Sequence, residues 1–163
     1  MNPKIFRAYD IRGKYPLEIN EEVVEKISRF LGRYFINPKP KTPARGEARQ
    51  RRQNPKPKIV IGHDARLSSS SLYKIVLKSL KASARGGSAL GGKNLKALPA
   101  GRQVKTIPVG MTTTPMFYFL VNKLNADGGI MITASHNPKN YNGLKVVGRN
   151  AVPISGKEIL KLI

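Results

Sequence analysis

Residues 129–147 read GIMITASHNPKNYNGLKVV, in which two apolar runs enclose a polar loop. The first run spans 130–132 and the second spans 144–147, and both are short and rich in the residue types that favour strands. The loop between them is too short to contain a crossover helix. We therefore predict that the two strands are antiparallel neighbours in one sheet.

The rest of the chain alternates between strand and helix patterns. Further strands are predicted at 58–62 and 106–109, and amphipathic helices at 20–35 and around 72–80. A third helix is predicted from about residue 114, and a last helix from the capping-box sequence at 155–158. Helices between strands imply right-handed crossovers and parallel pairing. The sequence thus predicts a three-layer α/β/α domain with a four-stranded mixed sheet whose last strand is antiparallel.

Local signals predict several element boundaries. Asn20 is a favourable N-cap for the first helix, and Pro115 suits the first turn of the third. Pro108 has no N–H to donate to a neighbouring strand, so we place its strand at an edge of the sheet.

Length and composition are those of one domain spanning residues 1–163. The absence of cysteine excludes disulfides, thiolate metal sites and a thiol nucleophile. The N-terminus lacks the apolar stretch of a signal peptide, and no apolar run is long enough to span a bilayer. We therefore expect a cytoplasmic protein without a membrane partner.

The net charge of +21 comes partly from two basic stretches. Residues 38–57 hold seven lysines and arginines against one glutamate, and residues 84–103 hold four with no acid. Both are rich in proline or glycine and lack an apolar period, so we predict disordered insertions into an ordinary domain. Neither has the interleaved aromatic residues of a nucleic-acid-binding surface, so we expect nucleic-acid binding to be at most nonspecific.

The loop after residue 132 contains the groups most suited to chemistry. In open α/β sheets, ligands bind beyond the carboxyl ends of the strands, where this loop is predicted to lie. Ser135 carries a weak nucleophile that needs neighbours to activate it, and His136 and Lys145 could supply proton transfer and positive charge. On these residues alone, an ordinary polar turn is the favoured interpretation.

Three motifs change that interpretation because they resemble one family. Residues 133–138 (TASHNP) with 141–145 (YNGLK) resemble the active-site serine segment of the α-D-phosphohexomutases. Residues 6–13 (FRAYDIRG) resemble the N-terminal motif of the bacterial phosphomannomutase/phosphoglucomutase branch, and residues 62–68 (GHDARLS) resemble a third family segment, with His63 where arginine is more usual. Apart from the two basic stretches, the resemblance covers nearly the whole chain, as the family's N-terminal domain I.

The resemblance implies a specific reaction. Members of the family have four domains around a deep cleft and carry a phosphoserine in the resting enzyme. The phosphoserine gives its phosphoryl group to a hexose phosphate, and a hexose 1,6-bisphosphate forms as intermediate or activator. The other phosphate then returns to the serine. Mg²⁺ bridges the phosphoserine and an aspartate-rich loop.

By the same resemblance, the site residues receive roles. Ser135 would carry the phosphate and, through it, supply one Mg²⁺ ligand. Lys145 and Arg12 would neutralise the charge of the transferred group and bind substrate, with Lys145 as a candidate general acid/base. His136 would lie against the phosphoserine, and Tyr9 would line the substrate cleft.

Four further residues in these motifs are given structural interpretations. Asp64 and Arg66 are expected to cap the turn between strand and helix or to pair with each other. His63 is expected to be a solvated loop residue. Asp10 is interpreted as a turn former before Gly13 rather than as a metal ligand.

Other parts of the family pattern are absent from this sequence. Asp10, Asp64 and Asp127 are its only aspartates and are far apart, so the remaining Mg²⁺ ligands are expected from a missing domain. The predicted last helix reaches Ile163 without a C-terminal cap, which indicates a fragment. We therefore expect the isolated chain to be inactive, with the missing mutase domains as partners in the same or another chain. A nonfunctional enzyme remnant is the alternative, and a basic nucleic-acid-binding protein is a weaker one.

Overall fold

The computed structural model describes residues 1–36, 56–82, 103–161 and 163. Its strands are β1 (Ile11–Lys14), β2 (Lys58–His63), β3 (Lys105–Met111), β4 (Gly128–Ile132), β5 (Tyr141–Gly148) and β6 (Pro153–Ile154). Its helices are α1 (Glu21–Ile36), α2 (Ser69–Ala82), α3 (Thr114–Lys123) and α4 (Gly156–Leu160), with short 3₁₀ turns at Pro3–Ile5 and Arg149–Ala151. Apart from residues 56, 57 and 103, the predicted insertions at 38–57 and 84–103 lie outside the described residues.

All six strands belong to one mixed sheet in the order β1-β5-β4-β2-β3, and β6 also pairs with β5. The central strand β2 is parallel to both β3 and β4. Strand β5 is antiparallel to β4, which confirms the pairing predicted across the polar loop. Strands β1 and β6 are likewise antiparallel to β5.

The sheet therefore has two more strands than the four predicted. Strand β1 reads IRGK and β6 contains only Pro153 and Ile154, so neither has the apolar pattern by which the other strands are found. Both form because β5 offers them a free edge. Residues 141–144 of β5 pair with β1, and residues 146 and 147 pair with β6.

Two apolar clusters cover the two faces of the sheet and confirm the α/β/α layering. Ile61, Ile130 and Leu144 pack with α1 and α2 on one face. Val60 and Met131, on the opposite face, pack with Phe117 of α3. Central strands buried on both faces have continuous apolar runs, which is why the sequence revealed them. None of the described helices is long and apolar enough to cross a membrane.

The local boundary signals hold in the structure. Asn20 Oδ1 accepts a hydrogen bond of 3.0 Å from a backbone N–H in the first turn of α1, and Pro115 lies in the first turn of α3. Ser155 and Glu158 form the predicted capping box of α4. Pro108 lies in β3, the edge strand, where its missing N–H breaks no ladder.

One polar cluster ties the start of α1 to the start of α2. The Tyr15 hydroxyl donates a 2.9 Å hydrogen bond to the Glu21 carboxylate, and the Ser71 hydroxyl donates to the same oxygen at 3.2 Å. The hydrogen bond to this carboxylate raises the pKa of the Tyr15 phenol above its ordinary value. The contact fixes the path of the chain between β1 and α1.

Candidate active site

Residues 133–140, called the serine loop below, connect β4 to β5 at the edge of the sheet where β2 and β4 have their carboxyl ends. The Thr133 N–H donates to the Gly143 carbonyl at 3.0 Å, and the Tyr141 N–H donates to the Pro138 carbonyl at 2.9 Å. The loop is therefore anchored where it leaves β4 and where it enters β5. Its position agrees with the predicted location of a ligand site in an open α/β sheet.

Ser135 is exposed and has a left-handed backbone conformation, with φ of 54°. Its N–H donates to the Thr133 hydroxyl at 2.9 Å, and its own Oγ lies 3.4 Å from Nδ1 of His136. A positive φ is uncommon outside glycine, and such strained residues concentrate at functional sites. The loop thus presents the Ser135 hydroxyl to solvent with an imidazole beside it.

Arg66, which comes from the turn between β2 and α2, reaches across to the serine loop. Its guanidinium donates to four carbonyls, those of Ser135, Asn137, Pro138 and Tyr141, at 2.7, 2.7, 2.7 and 3.1 Å. The sequence assigned Arg66 only a local structural role. Nothing in its immediate sequence indicates that its partners lie about 70 residues further along the chain.

The predicted pairing of Asp64 with Arg66 is confirmed. Arg66 Nε donates to one carboxylate oxygen at 3.1 Å, and the other oxygen accepts from the Arg66 N–H at 3.1 Å. The interpretation of His63 as a solvated loop residue is wrong. It is the last residue of β2 and is half-buried, with its ring tilted against that of Tyr73 at a centroid distance of 4.8 Å.

Arg12 also reaches the serine loop, from the neighbouring strand β1. Its Nη1 donates to Oδ1 of Asn137 at 3.1 Å, and its Nη2 is paired with the carboxylate of Asp10. Its Nε is buried and has no partner among the described residues. The Asp10 carbonyl accepts from the Arg7 N–H at 2.8 Å, so the predicted turn before β1 is present.

Lys145 lies on the same face of the sheet as Arg12. Arg12 is paired with Gly143 in the β1–β5 register, and Lys145 is two residues further along β5. Side chains two residues apart on a strand share a face, so the two cations are diagonal neighbours, with about 7–8 Å between their Cα atoms. Lys145 is half-buried, and its side chain makes no hydrogen bond or ion pair among the described residues.

Tyr9 lies at the turn between residues 7 and 10, and 72% of its surface is exposed. Its side chain forms no hydrogen bond or ring contact within the described ranges. The turn itself packs against the start of α4. A Cβ at Gly156 would come within 2.5 Å of the Asp10 carbonyl oxygen and 2.6 Å of that of Arg7.

The described residues do not form a Mg²⁺ site by themselves. They contain no cluster of three or more histidine, aspartate or glutamate side chains suited to a metal ion. The three aspartates are instead paired with arginines: Asp10 with Arg12, Asp64 with Arg66, and Asp127 with Arg149. An aspartate that is paired with a guanidinium is a poor metal ligand, because its oxygens already accept hydrogen bonds from the arginine.

The structure also gives roles to two residues of the YNGLK motif to which the sequence assigned none. Asn142 is fully buried, and its Nδ2 donates to the hydroxyls of Ser68 and Ser69 at 2.8 and 3.0 Å. Gly143 lies so close to β1 that an added Cβ would be 2.0 Å from the Ile11 carbonyl oxygen. Asn142 fixes β5 to the start of α2, and Gly143 allows β1 to bring Arg12 to the loop.

Similarity to known proteins identifies the family of this chain. Residues 3–163 match the sequence profile described as phosphoglucomutase/phosphomannomutase, alpha/beta/alpha domain I. The chain belongs to this family. The match includes all three motifs from which the family was predicted.

Individual relatives agree with this assignment to phosphoglucomutase/phosphomannomutase domain I. The chain is 37% identical over 151 residues to a phosphomannomutase from Klebsiella pneumoniae, covering 93% of this chain and 72% of that protein. It is 40% identical over 151 residues to one from Escherichia coli, covering 93% of this chain and 25% of that protein. The chain thus spans about a quarter of the length of the Escherichia coli relative.

A solved structure shows the same fold. The phosphoglucomutase/phosphomannomutase family protein from Burkholderia thailandensis superposes with a TM-score of 0.67 at 29% identity, covering 99% of this chain and 29% of that one. The observed sheet and helices are therefore those of a phosphoglucomutase/phosphomannomutase domain I. The serine loop lies within the matched region in every one of these comparisons.

Proposed function

We propose that this chain is the phosphoserine-bearing domain of a phosphomannomutase/phosphoglucomutase and that Ser135 carries the phosphate. The observation that supports this most directly is the exposed Ser135 hydroxyl on a left-handed turn at the carboxyl end of β4. A hydroxyl held at a rigid rim can meet a substrate without a change of fold. The substrate class is a hexose phosphate, with glucose and mannose phosphates both compatible.

The proposed reaction is a phosphoryl transfer in two directions. In the first step, a hydroxyl of the hexose phosphate attacks the phosphorus, the bond from phosphorus to Ser135 Oγ breaks, and a hexose 1,6-bisphosphate is formed. The proton of the attacking hydroxyl replaces the phosphoryl group on Ser135. In the second step, Ser135 Oγ attacks the phosphorus of the other phosphate, and the bond from that phosphorus to the sugar oxygen breaks. The Ser135 hydroxyl proton passes to the leaving sugar oxygen, and the isomeric hexose phosphate is released.

The cations around the serine loop support this assignment. Lys145 has no acidic partner among the described residues, so its charge is available to the transferred group and its amine to the moving proton. Arg12 contributes charge at the loop, although Asp10 offsets part of it. His136 stands beside the Ser135 oxygen, and the exposed Tyr9 would line the sugar side of the cleft.

The reaction needs more than this chain supplies. The described aspartates form ion pairs with arginines, so Mg²⁺ would be bound by the phosphate on Ser135 together with ligands from another domain. We therefore propose that the chain acts in the cytoplasm with the remaining mutase domains, in the same or another polypeptide. Alone, it should have little or no mutase activity.

A chimera tests the proposal. The part of the Escherichia coli phosphomannomutase that matches this chain would be replaced by residues 1–163, and the product incubated with glucose 1,6-bisphosphate. We expect phosphopeptide mapping to find the phosphate on Ser135 and a coupled assay to detect interconversion of hexose phosphates. A well-folded chimera with phosphate on another residue, or with none, would contradict the proposal and favour a nonfunctional remnant.

Replacing Lys145 should slow transfer without disturbing the fold. In the chimera, we expect Lys145→Ala to lower kcat about 100-fold, because a positive charge next to the transferred group is lost. The melting temperature should change little, since the Lys145 side chain forms no hydrogen bond or ion pair within the described residues. Lys105→Ala, which removes an exposed lysine on the edge strand β3, is the matched control and should keep kcat within about twofold. Equal rates for the two variants would remove Lys145 from the site.

The charge of the chain should give only weak attachment to nucleic acid. With a net charge of +21, the chain can exchange counterions with phosphates, but no motif in it reads bases. We expect the affinity for several duplex and single-stranded sequences to be similar and to fall steeply between about 50 and 200 mM salt. Fluorescence anisotropy titrations measure this. A marked preference for one sequence that persists at the higher salt would instead support a nucleic-acid-binding function.

A further inference from the structure

We propose that Arg66 positions the serine loop. Arg66 holds Ser135 in its left-handed conformation without touching the transferred phosphoryl group. This assignment depends only on the hydrogen bonds that Arg66 makes with the loop. Its consequence for phosphoryl transfer rests on the function proposed above. An arginine so close to a phosphoserine would ordinarily be interpreted as a binder of the phosphate.

The count of hydrogen bonds argues against phosphate binding by Arg66. A guanidinium has five N–H donors. Nε donates to the Asp64 carboxylate, Nη1 donates to the carbonyls of Pro138 and Tyr141, and Nη2 donates to those of Ser135 and Asn137. Every donor is therefore used inside the protein, and a phosphate on Ser135 could recruit Arg66 only by breaking contacts to the loop.

Asp64, which accepts the hydrogen bond from Nε of Arg66, is itself held by two further hydrogen bonds. The Asp64 N–H donates to the carbonyl of Ile132, the last residue of β4, at 3.0 Å. The Asp64 carboxylate also accepts from the Ser69 hydroxyl at 2.5 Å. Only 13% of the Arg66 side chain is exposed. The Arg66 guanidinium therefore holds the serine loop in a fixed position relative to the carboxyl end of β4 and to α2.

The same contacts explain how Ser135 keeps its unusual conformation. A positive φ at serine disfavours the turn unless other contacts hold it. The carbonyls of Ser135 and Asn137 both point at Nη2 of Arg66, so relaxing Ser135 to a negative φ would move its carbonyl away from a charged donor. A lysine has three donors on one point charge and cannot reproduce a planar fork that serves four carbonyls.

Amide hydrogen exchange by NMR on the 163-residue chain tests the clamp directly. We expect Arg66→Lys to speed exchange of the Asn137 and Tyr141 amides at least about tenfold while amides in α1 are unchanged. The three-bond coupling constant between the amide and α protons of Ser135 should also differ from its value in the unsubstituted chain, because φ of Ser135 changes. Arg149→Ala is the control, because Arg149 likewise pairs with an aspartate through Nε at 3.0 Å but does not contact the loop.

Chemical rescue separates geometry from charge. Methylguanidinium added to Arg66→Ala should restore protection of the loop amides, whereas methylammonium, which carries the same charge without the fork, should not. Unchanged loop exchange in Arg66→Lys and Arg66→Ala, or exchange that also rises throughout α1, would overturn the proposal. The second result would make Arg66 a residue of the global fold.

A kinetic measurement then connects the clamp to the proposed function. In the chimera, Arg66→Lys should lower kcat at least about tenfold with less than a threefold change in KM, because Ser135 is misplaced while substrate binding is retained. A wild-type chimera that carries no phosphate on Ser135 would contradict the proposed function but would leave the exchange result standing. A normal kcat in Arg66→Lys would overturn the link to transfer.

Discussion

Replacing Ser135 by alanine in the chimera should remove the covalent phosphate and lower mutase activity at least about a thousandfold. The Ser135 Oγ is the atom that accepts and returns the phosphoryl group in the proposed reaction, and the other hydroxyl of the serine loop, that of Thr133, is in no position to replace it. Thr133 is buried, and its hydroxyl already accepts the Ser135 N–H. Phosphopeptide mapping and a coupled assay with glucose 1-phosphate measure the two effects.

Two further variants make this result interpretable. Alanine at φ of 54° is strained, so Ser135→Ala could also disturb the loop. Ser135→Gly removes the hydroxyl while relieving that strain, and we expect it to be equally inactive. Ser70→Ala, at an exposed position on α2 where the serine hydroxyl forms no hydrogen bond within the described residues, should be fully active. Substantial activity or retained phosphate in either Ser135 variant would show that another residue carries the phosphoryl group.

Gly143→Ala should destabilise the chain by about 3 kcal/mol, since the added Cβ cannot be accommodated without moving the backbone. The nearest atoms are all main-chain atoms of β1: the Ile11 carbonyl oxygen at 2.0 Å and, at 3.0 Å, the Ile11 carbonyl carbon and the Arg12 Cα. Strand β1 would have to move away from β5, and Arg12 would move with it. Urea denaturation of the 163-residue chain measures the loss as a lower midpoint.

A second glycine in the same strand provides the control. At Gly148 the nearest atoms to an added Cβ are 3.8 and 3.9 Å away, which is ordinary van der Waals contact. Gly148→Ala should therefore change the free energy of unfolding by no more than about 0.5 kcal/mol. If the two variants have the same midpoint, the close approach of β1 to β5 is not the constraint that the structure indicates.

The parts of the fold that follow from the sequence are those with a strong apolar period. Strands β2 and β4 are buried on both faces, so their runs are apolar throughout, and the polar loop after β4 is too short for anything but an antiparallel return. Strands β1 and β6 have no such signal. They exist because β5 leaves an edge to which their backbones can pair.

The candidate site divides in the same way. The sequence singles out Ser135 and His136 because they are adjacent in a loop that leaves a strand, and it places Lys145 near them because the connection to β5 is short. It also includes Arg12, through a motif. It does not indicate that Arg66 holds the loop, because that contact joins residues about 70 positions apart.

The sequence by itself determined the layering of the domain, the antiparallel return after β4, the family and the serine that we propose to carry the phosphate, because each depends on neighbours along the chain. Only the tertiary structure decided which cations are free. Arg12 forms an ion pair with Asp10, and Arg66 forms one with Asp64, whereas the Lys145 side chain has no acidic partner among the described residues. Charge pairing depends on distances between side chains in space, and these are fixed only when β1, β5 and the turn after β2 meet at one edge of the sheet.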